Sequence, residues 1–153
     1  MKNTHLARIA ALLVAAATTV YADDDYNSAQ KRVVRAAADS AASLQSLQAR
    51  GISVNASDND GETALMEAVD KGNLQAVRNL IAAGANVNAR DEDGETALMV
   101  AADDGNVAII KALISAGADV NARDNEGETA LYKAIDERHH AAADAIRAAG
   151  GQR

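Results

Sequence analysis

The sequence predicts an all-α solenoid, in which helix–turn–helix units stack in one direction and hairpin loops project from one edge. Three observations predict it. A block that begins at Gly61, GETALMEAVDKGNLQAVRNLIAAGANVNARDED, returns at Gly94 as GETALMVAADDGNVAIIKALISAGADVNARDNE, with twenty of 33 positions identical. A third copy begins at Gly127 and fades toward the C-terminus. A unit of that length cannot bury its own apolar face, so copies must stack. Within each copy apolar residues recur at i, i+3 and i+4, the spacing of one helix face. Composition agrees: the chain is 48% hydrophobic, but alanine dominates that figure and Phe and Trp are absent. Such side chains suit thin, closely packed helices better than a broad sandwich.

The N-terminus reads differently from the rest. Met1 to Arg8 carries Lys2 and Arg8 and no acid, and the 12 residues Ile9 to Val20 are uncharged and largely apolar. Val20-Tyr21-Ala22 then supplies small or aliphatic residues at the two sites a signal peptidase reads. This layout predicts a signal peptide over residues 1–22, cleaved before Asp23. The alternative is a membrane anchor, but a span needs about 20 apolar residues. The alanine-rich run and compact basic start resemble a bacterial signal. The expected location is therefore the periplasm, with no stable membrane insertion after cleavage. Loss of Lys2 and Arg8 would leave 13 cations against 22 acids, a formal charge of −9 in place of −7. A chain this acidic repels phosphate backbones, which argues against nucleic acid as a partner.

After a short acidic leader at 23–27, residues 28–60 read as a degenerate first repeat that caps the array. Leu44, Leu47, Gly51, Val54 and Asn55 align with Val77, Leu80, Gly84, Val87 and Asn88 of the next copy. Its first helix places Val33 and Ala37 on one face and leaves Lys31, Arg32 and Arg35 to solvent. In the full repeats, 61–93 and 94–126, Thr63 and Thr96 are placed to cap a helix start by accepting a free backbone N–H. Leu65, Ala68 and Val69 then share a face, as do Leu98, Ala101 and Ala102. Gly72 and Gly105 fit the left-handed position that ends a helix. Second helices follow, with Val77, Leu80, Ile81 and Ile110, Leu113, Ile114 expected inward, and Gly84 and Gly117 end them. The segments 85–92 and 118–125 are the expected hairpin fingers, with Asn88 and Asn121 bonding backbone at the turn. The last unit, 127–153, has Thr129 as cap and Leu131, Ala134 and Ile135 on its apolar face. Arg147 stands where Ile81 and Ile114 stood, so nothing is expected to pack beyond it. Arg138 replaces the helix-ending glycine.

The recurring G-x-T-x-L, then A, G-N and L-I-x-A-G-A-[ND]-V-N-A-R-D strongly resembles the ankyrin repeat, over about Ser28 to Gly150. The resemblance implies an ankyrin-like solenoid. It departs from the usual T-P-L-H at the first helix: Ala64, Ala97 and Ala130 replace Pro, and Met66, Met99 and Tyr132 replace His. The polar network that this His supports must then be replaced by packing.

Little in the chain points to chemistry. The stretch DNDGETALMEA matches part of a calcium loop, with Asp58, Asp60, Gly61 and Glu67 at the third, fifth, sixth and twelfth places. Its first ligand place holds Ala56, and the twelfth place becomes Val100 and Lys133 in the later copies. The acids therefore belong to a turn that leads into a capped helix, and no metal is expected. His139 and His140, the histidines of the mature chain, point about 100° apart on a helix and cannot share a metal. His139 also falls at the family's Gly-His position between the helices. Without cysteine there is no disulfide, thiolate nucleophile or zinc thiolate site, and no triad or phosphate loop appears. The chain reads as a non-enzyme without a cofactor.

What remains is the surface. In ankyrin-like arrays partners commonly dock on the concavity formed by hairpin tips and first helices. Carried over copy by copy, that face comprises Asn59, Asp60, Glu62, Asp70 and Lys71 in the first full repeat. The second gives Glu92, Asp93, Glu95, Asp103 and Asp104, and the last Asn125, Glu126, Glu128, Asp136 and Glu137. Arg90 and Arg123 offset only part of the acid. Like charges about 10 Å apart repel within a Debye length, and a basic partner would relieve that repulsion. The alternative is a solvated, solubilising face. The expected function is recognition of a protein partner with a basic surface by a monomer. Variants are an immunity or inhibitor protein for a toxic or secreted enzyme, or an accessory factor in peroxide defence. The last follows from a resemblance to exported bacterial ankyrin proteins linked to periplasmic catalase.

Overall fold

The computed structural model describes residues 26–153 as a stack of helix pairs joined by finger loops. The predicted signal peptide, and the leader as far as Asp25, lie outside the described residues. The pairs in chain order are α1 (Tyr26–Asp39) with α2 (Ala41–Ala49), and α3 (Ala64–Asp70) with α4 (Leu74–Ala82). They continue with α5 (Ala97–Asp103) and α6 (Val107–Ser115), then α7 (Ala130–Asp136) and α8 (His140–Ala148).

Apolar spacing decides which face each helix buries. Val33, Ala37 and Leu44 in the first pair, Leu65, Val69, Val77 and Leu80 in the second, and Leu98, Ile110 and Leu113 in the third form one continuous core. Leu131, Ala134 and Ile146 close it at the C-terminal end. Ile81, Ile114 and Ile135, expected inward, are only half-buried against its margin. Each directly follows a fully buried residue (Leu80, Leu113 or Ala134) and so is turned about 100° from it around the helix. Met66 and Met99 are 2% and 1% exposed, so flexible thioethers fill the space where the family's usual residue is His.

Helix starts confirm the capping logic at two of three threonines. Thr63 Oγ1 accepts from Met66 N at 3.3 Å, and Thr129 Oγ1 accepts from Tyr132 N at 3.2 Å. The Thr63 N–H in turn donates to Met66 Sδ at 3.5 Å, which closes a capping box. Thr96 departs from expectation: its hydroxyl caps nothing and is buried without a partner. The second helices are capped by residues that the sequence reading passed over. Asn73 Oδ1 accepts from Ala76 N at 3.0 Å and Asn106 Oδ1 from Ile109 N at 3.2 Å. Arg138, in the place of a glycine, adopts φ 61°, so the last unit keeps the left-handed turn at some cost in backbone strain.

The fingers are built from turns rather than strands. Among the described residues the one β contact outside helices is an isolated antiparallel bridge between Ser57 and Thr63, so the expected hairpins carry no ladder. Their asparagines also act further away than expected. Asn88 Oδ1 accepts from Asp119 N at 2.8 Å and its Nδ2 donates to Gly117 O at 3.1 Å. Asn121 does the same to Gln152 N and Gly150 O, and Asn55 accepts from Asn86 N at 2.7 Å. Each asparagine thus staples its finger to the following repeat, which fixes the register of the stack.

Candidate protein-binding surface

The acidic turns that resembled a calcium loop explain themselves first. Asp58 Oδ1 accepts from the N–H groups of Asp60 and Glu62 at 3.0 and 2.9 Å, and Asp124 Oδ1 from those of Glu126 and Glu128 at the same two distances. Asp91 Oδ1 accepts from Glu95 N at 2.8 Å. A carboxylate in this place closes the finger tip on itself. Successive tips then stack through backbone, with Glu92 N donating to Asp60 O at 3.0 Å and Asn125 N to Asp93 O at 2.9 Å. Gly61 lies close against this stacking: at φ 78°, a Cβ there would stand 3.2 Å from the backbone of Asp91 and Glu92. Among the described residues, no group of three or more His, Asp or Glu side chains is placed to hold a metal.

Stacked tips and the exposed edges of α3 and α5 enclose a groove of about 480 Å³. Asp60, Glu62 and Asp70 line it from one repeat, and Glu92, Asp93, Glu95, Asp103 and Asp104 from the next. Met66 and Val100 form a small apolar floor. Eight residues of the expected face therefore meet in one place. Glu126 belongs to a smaller neighbouring cleft of about 330 Å³, which shares Asp93 and Glu95 and adds Asp124 and Asn125. Lys71, Glu128 and Asp136 line neither. Lys71 turns back to an ion pair with Glu67, one helical turn earlier, and Asp136 is exposed beyond the clefts.

The residue that sequence reasoning missed is Lys133. It stands on α7 between the two clefts, and its Nζ lies 2.5 Å from Glu95 Oε1, 3.2 Å from Asp124 Oδ2 and 3.7 Å from Glu128 Oε2. Burial alone would pull the ammonium down, but the hydrogen bonds and charges of Glu95 and Asp124 outweigh it and hold it above the ordinary lysine range. Burial likewise pushes Asp124 up, yet the N–H groups of Glu128 and Glu126 and the Lys133 ammonium hold it below the usual carboxylate range. A signal existed: the place that carries Lys133 carries Glu67 and Val100 in the earlier copies. A lone cation there, one turn beyond a capping threonine, faces the acids of the preceding repeat.

The rest of the groove is not neutralised. Burial, then repulsion from Asp58, Glu67 and Asp70, raises Glu62 above its ordinary value, against a smaller opposing pull from Lys71. Desolvation, then Asp70 and Asp103, raises Asp104, with His139 opposing. Both shifts mean that the charged form of each carboxylate is less favourable here than in water.

Fold and geometry together identify the family. A model described as ankyrin repeats matches three times, over residues 5–91, 32–124 and 84–151. The chain belongs to the ankyrin-repeat family. A comparison with curated proteins returned no match. Ankyrin repeats are protein-interaction modules, generally scaffolds without catalysis. Among the described residues of this ankyrin-repeat protein, no helix is long and apolar enough to cross a membrane.

Proposed function

We propose that this ankyrin-repeat protein is exported to a bacterial periplasm and there, as a monomer without enzymatic activity, binds a protein with a basic surface through the acidic groove. The groove carries the reading. Eight carboxylates of the expected face line it, joined by Asp91, and the single cation among its lining residues, Lys133, is already held by three acids at one end. Burial first and neighbouring acids second raise Glu62 and Asp104; partner lysines and arginines would favour their charged forms, and the clustered acid would steer such a partner at low salt. A solubilising face has no reason to converge on a groove with an apolar floor.

The test uses Asp93→Lys with Asp103→Lys, since among the described residues neither side chain carries a hydrogen bond or ion pair. Glu95 is a poorer choice, because its carboxylate holds Lys133 and reversal would disturb the repeat itself. Asp144→Lys on α8 is the control for a charge reversal outside the groove; its exposed pair with Arg147 is worth little. Protein captured from a periplasmic extract by the wild type should be lost by the double variant and kept by the control, with capture falling as salt rises. Equal capture by all three would reduce the groove to a solubility device. Export is tested separately, by N-terminal sequencing of protein from that compartment: a start at or near Asp23 supports it, and an intact Met1 on cytoplasmic material contradicts it.

A further inference from the structure

Helix α3 separates two grooves of opposite charge. Met66 and Asp70, one turn apart, line the acidic groove shared with the following repeat. Glu67 and Lys71, also one turn apart, line a notch of about 410 Å³ against α1 of the preceding repeat. Val34, Ala68 and Ala76 are buried and form its apolar floor. Lys31 and Arg35 stand along the opposite wall, where with Val34 and Ala38 they follow one face of α1 for about 10 Å. Three cations thus surround the floor against one lining acid, Glu67, which already pairs with Lys71. Lys31 and Arg35 are exposed, and among the described residues neither carries a hydrogen bond or ion pair.

This sign is local to the first junction. One repeat later the places of Lys31, Arg35 and Lys71 hold Ala64, Ala68 and Asp104. Residues 26–57 carry four cations and one acid, a formal charge of +3. Residues 58–153 carry nine cations and 18 acids, a formal charge of −9. The field of the molecule therefore repels an acidic ligand over most of the stack and admits it here. A simple inorganic anion would leave the apolar floor unfilled. A track two helical turns long, with an apolar floor and a basic wall, fits an amphipathic segment whose carboxylates flank an apolar side chain.

We propose that this notch binds an acidic segment of a partner protein, with an apolar side chain on the floor of Val34, Ala68 and Ala76 and flanking carboxylates on Lys31 and Arg35. The preference does not depend on the acidic groove or on what binds there.

The probe is a fluorescein-labelled synthetic helix with leucine on one face between glutamates, beside a second peptide in which lysine replaces every glutamate. Binding to the purified protein is read by fluorescence anisotropy at low salt. The glutamate peptide should bind the wild type. Lys31→Glu with Arg35→Glu should weaken it about tenfold or more, because like charges then meet. Arg78→Glu with Lys111→Glu, exposed on α4 and α6, makes the same charge change and should leave binding within about twofold. Asp93→Lys with Asp103→Lys should weaken only the lysine peptide, so failure of the notch and failure of the acidic groove are read separately. No binding of the glutamate peptide to the wild type, or equal loss in the two glutamate variants, overturns the proposal. So does a wild-type dimer that Lys31→Glu with Arg35→Glu dissociates, which would give the notch to a second copy. A measurement on the wild type alone guards against misfolding of the α1 variant. With the glutamate peptide bound, amide exchange should slow at residues 31–38 and 67–71 and stay unchanged in α5 and α6. Protection elsewhere contradicts the proposal.

Discussion

Three threonines in the same place of three successive repeats do different work. Thr63 and Thr129 satisfy a helix-start N–H, whereas the Thr96 hydroxyl is buried with no partner. Replacing a capping threonine by alanine should cost about 1 kcal/mol. Thr96→Val keeps the shape and removes an unpaired polar atom, so it should be neutral or stabilising. Urea unfolding of Thr63→Ala and Thr96→Val checks this, and a larger loss at Thr96 would mean that its hydroxyl is bonded in solution. Asp124 makes a prediction in pH. Its folded value lies below its unfolded one, so its stabilising contribution is present above the ordinary aspartate range. That contribution is lost as pH falls through the lower folded value. Asp124→Asn should therefore lower the melting temperature near neutral pH and flatten the acid limb of melting temperature against pH. An acid limb as steep as the wild type's would place the acid sensitivity elsewhere. Residue roles of this kind were partly legible. Asp58, Asp91 and Asp124 could be assigned to turns from the repeat alone, but the partners of Lys133 come from residues 38 positions earlier and nine earlier. Only stacking brings those together.

At the scale of elements the repeat did most of the predicting. Glycines after α3, α4, α5 and α6, threonines before α3, α5 and α7, and apolar residues at helical spacing marked each helix, because those signals act within a few residues. The fingers were harder. Hairpins were expected over 85–92 and 118–125, but the tips are held by aspartate turns and by asparagine staples to the next repeat, so no strand ladder is required. The position of Arg147 was read correctly as solvent-facing: it is exposed and pairs with Asp144 at 2.9 Å. Leu98 shows what stacking is worth. It is 1% exposed at the centre of the array, and Leu98→Ala should cost about 2–5 kcal/mol through lost burial and a residual cavity. In a thin stack, where each repeat relies on its neighbours, a loss of that size should unfold the central repeats. A thermal melt within a degree or two of wild type would show that the site collapses freely and that the stack is looser than its packing implies.

At the scale of the whole molecule, charge is distributed unevenly along the stack. The acidic groove belongs to the junction of the two full repeats, while the next junction is partly neutralised by Lys133. The sequence reading gathered the acids copy by copy into one face. It could not show that Glu95 and Glu128 turn toward a lysine while Asp60, Asp93 and Asp103 remain open, since that difference depends on where one side chain of α7 reaches. A partner should therefore be centred toward α3 and α5 rather than spread over all three repeats. The most direct measurement of this is a hydrogen-exchange footprint of the protein bound to its captured partner. Slowed exchange is predicted at residues 60–62, 92–95 and 103–105, with α4, α6 and α8 unchanged. Protection confined to α4, α6 and α8 would put the partner on the opposite face and contradict the account.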